Sequence, residues 1–67
     1  MTITLNGQTE NFPANEMSIM ELLQTKKINW KLLIVKHNGR YIKRAAYEAT
    51  VLREGDDIMV LSLMDGG

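Results

Sequence analysis

The sequence predicts an α+β domain: one mixed sheet of four or five strands packed on one main helix. Three observations carry that prediction. Apolar-alternating segments stand near both ends of the chain, over 1–5 and 58–64. Two Asn-Gly dipeptides, Asn6-Gly7 and Asn38-Gly39, each follow a strand-like run. A single capping-box pattern, Ser18-Ile19-Met20-Glu21, opens an amphipathic segment. Strands and one helix sharing one core give a two-layer domain.

Over Met1–Leu5, Ile3 and Leu5 alternate with Thr2 and Thr4, the pattern of a half-buried strand. Asn6-Gly7 is a strong hairpin signal, because both residues tolerate positive φ. Gln8–Phe12 returns, and Pro13 stops it. The Ser18 hydroxyl can accept from the Glu21 N–H while the Glu21 carboxylate reaches back, with Met17 and Leu22 as a hydrophobic staple. Ile19, Leu22 and Leu23 then form one apolar face, so a helix is expected from Ile19 to about Lys26. Lys26 and Lys27 suit its C-terminal end. Leu32–His37 reads as an apolar strand, Asn38-Gly39 as a second turn, and Tyr41-Ile42 as the strand beyond it. Ala45–Thr50 is ambiguous; a short helical turn with Tyr47 in the core is one reading. Gly55-Asp56-Asp57 is a turn, and Ile58–Met64 is the last strand. The helix supplies the crossover that a parallel pair requires. The first and last strands are therefore expected as parallel neighbours at the sheet centre, a β-grasp or ubiquitin-like topology.

Composition excludes several classes of function. With 67 residues the chain makes one small domain, residues 1–67, burying about 60% of its unfolded surface. It has no cysteine, and His37 is its only histidine, so disulfides, thiolate metal sites and most triads are excluded. No cofactor is called for. The opening MTITLNG lacks a signal-peptide pattern, and no apolar run approaches the ~20 residues of a membrane span; a soluble, cytoplasmic protein is expected. Net charge is zero, unlike a nucleic-acid binder. The charges are segregated, however. Seven cations lie between Lys26 and Arg44 without an acid, and five acids between Glu48 and Asp65 with only Arg53 opposing. Either the split steers a protein partner, or the two segments neighbour each other in the fold.

The chain finishes Gly66-Gly67, directly behind an apolar stretch. Lacking Cβ atoms, such a tail is expected to be thin, flexible and open up to its carboxylate. Those properties suit a terminus that threads into a narrow active site and reacts. The bland alternative is a frayed end.

With these pieces in order, the chain resembles the thiamine-biosynthesis sulfur carriers, the ThiS family, over essentially its whole length. The resemblance rests on Leu5-Asn6-Gly7, Ser18-Ile19-x-Glu21-Leu22-Leu23, Asn38-Gly39, Ile42-x-Arg44, Tyr47, Leu52, Gly55-Asp56-x-Ile58 and Gly66-Gly67. His37, Lys43, Met59 and Asp65 depart from the family pattern, where apolar, proline, acidic and small residues respectively are more usual. The resemblance implies that an E1-like adenylating enzyme (ThiF type) activates the Gly67 carboxylate with ATP. A persulfide donor then supplies sulfur, leaving a thiocarboxylate that a thiazole synthase (ThiG type) consumes. On this reading the protein is a co-substrate, not an enzyme, with Gly67 the acceptor and Gly66 a spacer.

Alternatives stay open: the small subunit of molybdopterin synthase, a ubiquitin-like modifier, or a binding module with incidental glycines. Ser18 reads as a cap, since no base is placed to activate it. His37 reads as a structural strand residue, and Trp30 and Tyr41 as packing. Met17 and Met20 read as core filling, and Arg44 as an intramolecular or a partner contact. If Ile58 and Val60 face the helix, Met59, Leu61 and Leu63 face the other way. With Ile34 they are expected to form the apolar patch that binds partners, just upstream of the tail.

Overall fold

A computed structural model describes residues 1–28 and 32–62. In chain order the elements are β1 (Thr2–Leu5), β2 (Gln8–Asn11), β3 (Met17–Ser18), α1 (Ile19–Thr25) and β4 (Leu33–His37). There follow β5 (Arg40–Ile42), a 3₁₀ turn (Arg44–Ala46), β6 (Val51–Leu52) and β7 (Asp57–Ser62). The main sheet runs β2-β1-β7-β4-β5, a mixed sheet of five strands. β1 and β7 are parallel at its centre, with Leu5 beside Ile58, and the remaining pairs are antiparallel. This is the β-grasp arrangement that the order of elements predicts.

Both hairpins close as their Asn-Gly pairs dictate. Asn6 and Gly7 have φ 51° and 82°, and Asn38 and Gly39 have φ 51° and 83°. Two successive positive φ values match the twist of the flanking strands. Ile3 and Leu5 are buried while Thr2 and Thr4 stay half-buried on the other face. β2 ends at Asn11, one residue short of the buried Phe12.

The capping box forms as expected. Ser18 Oγ accepts from the Glu21 N–H at 3.0 Å, and Glu21 Oε1 accepts from the Ser18 N–H at 2.8 Å. At seven residues α1 is too short to persist alone in water; what holds it is the complete burial of Ile19, Leu22 and Leu23. It stops at Thr25 with a feature the sequence did not announce. Lys27 adopts φ 57°, its N–H bonds Gln24 O at 3.1 Å, and the Ile28 N–H bonds Leu23 O at 2.9 Å. That is a Schellman closure with lysine where glycine is usual. Ser18→Ala is expected to cost about 1 kcal/mol in a urea titration, with the fold kept. Unchanged stability would contradict the capping role.

The ambiguous segment Ala45–Thr50 begins inside the 3₁₀ turn Arg44–Ala46 and continues as a turn, and Tyr47 is buried, as the helical-turn reading has it. Burial, aided by Tyr41 and opposed by the Arg44 charge, pushes its phenol above the usual 10.0. β3 and β6 form a separate antiparallel pair, Met17 with Leu52 and Ser18 with Val51. No pattern in the sequence predicts it. The pair ties the entrance of α1 to the chain that leads into β7, and it carries the fully buried Leu52 into the core.

Candidate functional site

β7 sets the geometry of the site. Ile58 and Val60 are buried toward α1, and alternation turns Met59 and Leu61 outward, 42% and 46% exposed. Antiparallel pairing with β4 sets Ile34 beside Leu61 and Lys36 beside Met59. β5 sets Tyr41 beside Lys36. Three strands thus present one face of the sheet, opposite the helix, on which Ile34 is half-buried and Lys36 exposed. Tyr41, read from sequence as a packing residue, is 60% exposed there. Its neighbour Ile42 takes the inward position, so period-two alternation leaves Tyr41 outside. Leu63, Gly66, Gly67 and Trp30 lie outside the described residues.

Two asparagine side chains hold β7 in register, a role the sequence showed only as turn chemistry. Asn6 Oδ1 accepts from the Val60 N–H at 2.7 Å, and Asn6 Nδ2 donates to Val60 O at 3.1 Å. This amide extends the β1 pairing beyond the strand's last residue. At the other end Asn38 Oδ1 accepts from the Asp57 N–H at 2.8 Å.

Beside Asn38, His37 is structural, as its strand position suggested. Its Nε2 lies 2.6 Å from Asp56 Oδ2. The same carboxylate accepts from Asn38 Nδ2 at 3.2 Å and the Arg53 N–H at 2.9 Å. Burial would raise the Asp56 pKa. The hydrogen bonds from His37, the Arg53 backbone and Asn38 outweigh it and hold the carboxyl below its usual 3.8. A folded pKa below the unfolded one contributes stability above the unfolded value, and that stability is lost as pH falls through the folded value. Asp56→Ala is expected to cost about 2 kcal/mol at neutral pH. The native chain is expected to lose more stability than this variant on acidification from pH 3.8 downward. Parallel urea titrations over that range check it; equal acid sensitivity would contradict the assignment.

Among the described residues no three His, Cys, Asp or Glu side chains converge to hold a metal. Ser18 Oγ is engaged in the helix cap. A depression of about 470 Å³ beside α1 is lined by Glu16, Met17, Glu21 and Glu48 among others, with no nucleophile–base pair. No helix among the described residues is long and apolar enough to cross a membrane. The outward face of β4, β5 and β7 is the candidate site, an exposed surface on which Tyr41, Lys36, Met59 and Leu61 stand together.

A family model described as the ThiS family matches residues 2–67. The crystal structure of a thiamine biosynthesis protein (ThiS) from Geobacter metallireducens is similar at TM-score 0.88 and 32% identity, covering 100% of both chains. An NMR solution structure of a thiamine biosynthesis protein from the same organism is similar at TM-score 0.83 and 32% identity, covering 100% of this chain and 88% of that one. No curated protein matches at a comparable level.

Proposed function

The chain belongs to the ThiS family, and on that premise we propose that it is a sulfur carrier of thiamine biosynthesis, a co-substrate and not a catalyst. The observation that carries this reading is the family match extending through Gly66-Gly67, joined to a fold without catalytic groupings among its described residues. A C-terminal carboxylate has an ordinary pKa near 3.5 and resists nucleophiles at neutral pH. It must first be activated. An E1-like adenylating enzyme joins the Gly67 carboxylate to the α-phosphate of ATP, expelling pyrophosphate. The outer sulfur of a donor persulfide then displaces AMP at the acyl carbon, giving an acyl disulfide with the donor. A second thiol attacks the donor's sulfur, breaks the S–S bond, forms a donor disulfide and releases the thiocarboxylate that a thiazole synthase consumes.

The side chains of this protein serve docking in that scheme. Met59 and Leu61, with Ile34 and, further along the chain, Leu63, form the partner-binding surface. It directly precedes the tail and aims it into the partner's active site. Leu61→Asp is expected to weaken binding to the adenylating enzyme or the synthase by at least ~1–2 kcal/mol while the fold survives, because Leu61 is already half exposed. Native affinity for both in a calorimetric titration would contradict the docking role. The adenylation step has its own test. Because forming an acyl-adenylate is reversible, the adenylating enzyme should exchange labelled pyrophosphate into ATP only when this chain is present. Exchange that ignores the chain would overturn the proposal.

A further inference from the structure

The docking face is not uniformly apolar, for lysines are built into it. Across the sheet, one row reads Tyr41, Lys36, Met59. In the next, Ile34 stands beside Leu61. Beyond Ile42 the chain continues extended at Lys43, φ −78° and ψ 158°, so alternation turns Lys43 to the Tyr41 side of the sheet. Two exposed lysines thus interleave with four apolar side chains. Among the described residues the ion pairs are Lys26–Glu10, His37–Asp56 and Arg53–Glu16, and none of them involves Lys36 or Lys43. Asp57 shares the face at its far end, paired in register with Thr4 and in no ion pair.

We propose that the partner seated here is a protein surface alternating apolar side chains with carboxylates, one meeting Lys36 and another Lys43. The inference rests on the docking reading and specifies the chemistry of its partner. An uncompensated cation inside a desolvated interface is costly, so a fitting partner must supply the counter-charge. A second copy of the chain does not supply it. Counting the described residues, pairing this face with itself about a two-fold axis would set four lysines against two aspartates. Nor does nucleic acid fit, since two cations give little phosphate affinity.

The test is a titration of the adenylating enzyme and the synthase from the same source at about 50 and about 500 mM salt, which spans weak to strong screening. The chains compared are native, Lys36→Gln/Lys43→Gln, Leu61→Asp, and a control lacking two charges elsewhere, Lys27→Gln/Arg53→Gln. All four need matching far-ultraviolet spectra and melting temperatures high enough for a folded chain during titration. With at least one partner, native affinity is expected to fall at least tenfold with salt. The lysine variant should bind at least tenfold more weakly at low salt and show little salt dependence, while the control stays within about twofold of native. A lysine variant that binds like native, while Leu61→Asp binds weakly, overturns the carboxylate inference and leaves the docking reading standing. Native binding by Leu61→Asp brings down both. Tighter self-association of the lysine variant in sedimentation would make a second copy the occupant and also overturn the inference.

Discussion

Deleting Gly67 is expected to abolish sulfur loading outright, and Gly66→Ala to slow it by roughly a hundredfold, with folding unaffected in both. The deletion moves the reacting carboxylate back by one residue, about 3.3–3.6 Å of extended chain. A docked carrier then falls short of the ATP phosphate by more than the width of a reacting geometry. Gly66→Ala keeps the length but adds a Cβ one residue from the acyl carbon, where the proposed threading leaves no room for a side chain. Neither change reaches the core, because the buried apolar side chains among the described residues end at Val60. Docking should persist, since the proposed face lies upstream. Loading rate and partner affinity, measured together, therefore separate a carrier from a binding module. An equally active Gly66→Ala variant would contradict the threading argument, and full loading of the truncated chain would contradict Gly67 as acceptor.

The largest stability effect is expected from Leu52→Ala. Leu52 is fully buried on a strand only two residues long, beside Met17 of β3. Truncating a buried leucine typically costs about 2–5 kcal/mol, through lost transfer energy and the cavity left behind. A domain of this size holds on the order of 3–10 kcal/mol in total, so a loss of about 3 kcal/mol removes much of it. The melting temperature should fall by about 10–25 °C. Leu52→Met, which roughly conserves volume, should cost less than about 1.5 kcal/mol. A fall of only a few degrees for Leu52→Ala would mean that β3 and β6 can collapse around the gap, and that the small sheet does not anchor the helix entrance.

Leu52 also marks where the sequence stops being legible. Elements with a repeating signal could be read: alternation placed Ile58 and Val60 inward, positive-φ dipeptides closed both hairpins, and Ser18 with Glu21 started the helix. The crossover requirement put β1 beside β7. A strand of two residues has no period to read, and β3 meets β6 across more than thirty residues of chain, so only folding reveals that pair. The same holds for Asn6 and Asn38, whose turn-forming character was plain while their side-chain bonds to β7 depended on where β7 came to lie. His37 and Asp56, nineteen residues apart in sequence, meet for the same reason. Of the candidate site, the residues on β7 followed from alternation. Tyr41, Lys36 and Lys43 did not, because a face spanning three strands depends on register between them. Asn38-Gly39 fixes that register in the β4–β5 hairpin, and the pairing of β4 with β7 extends it.

The central claim is that the C-terminal carboxylate of this chain is a sulfur acceptor, and intact mass measures that directly. The purified chain would be incubated with its adenylating enzyme, ATP and a persulfide donor, then weighed with a parallel sample lacking ATP. Exchange of one terminal oxygen for sulfur, by displacement at an activated acyl carbon, adds about 16 Da. That increase is expected only with ATP present, only in chains retaining Gly67, and on the C-terminal fragment after digestion. An unchanged mass after full incubation with a demonstrably active enzyme would contradict the account.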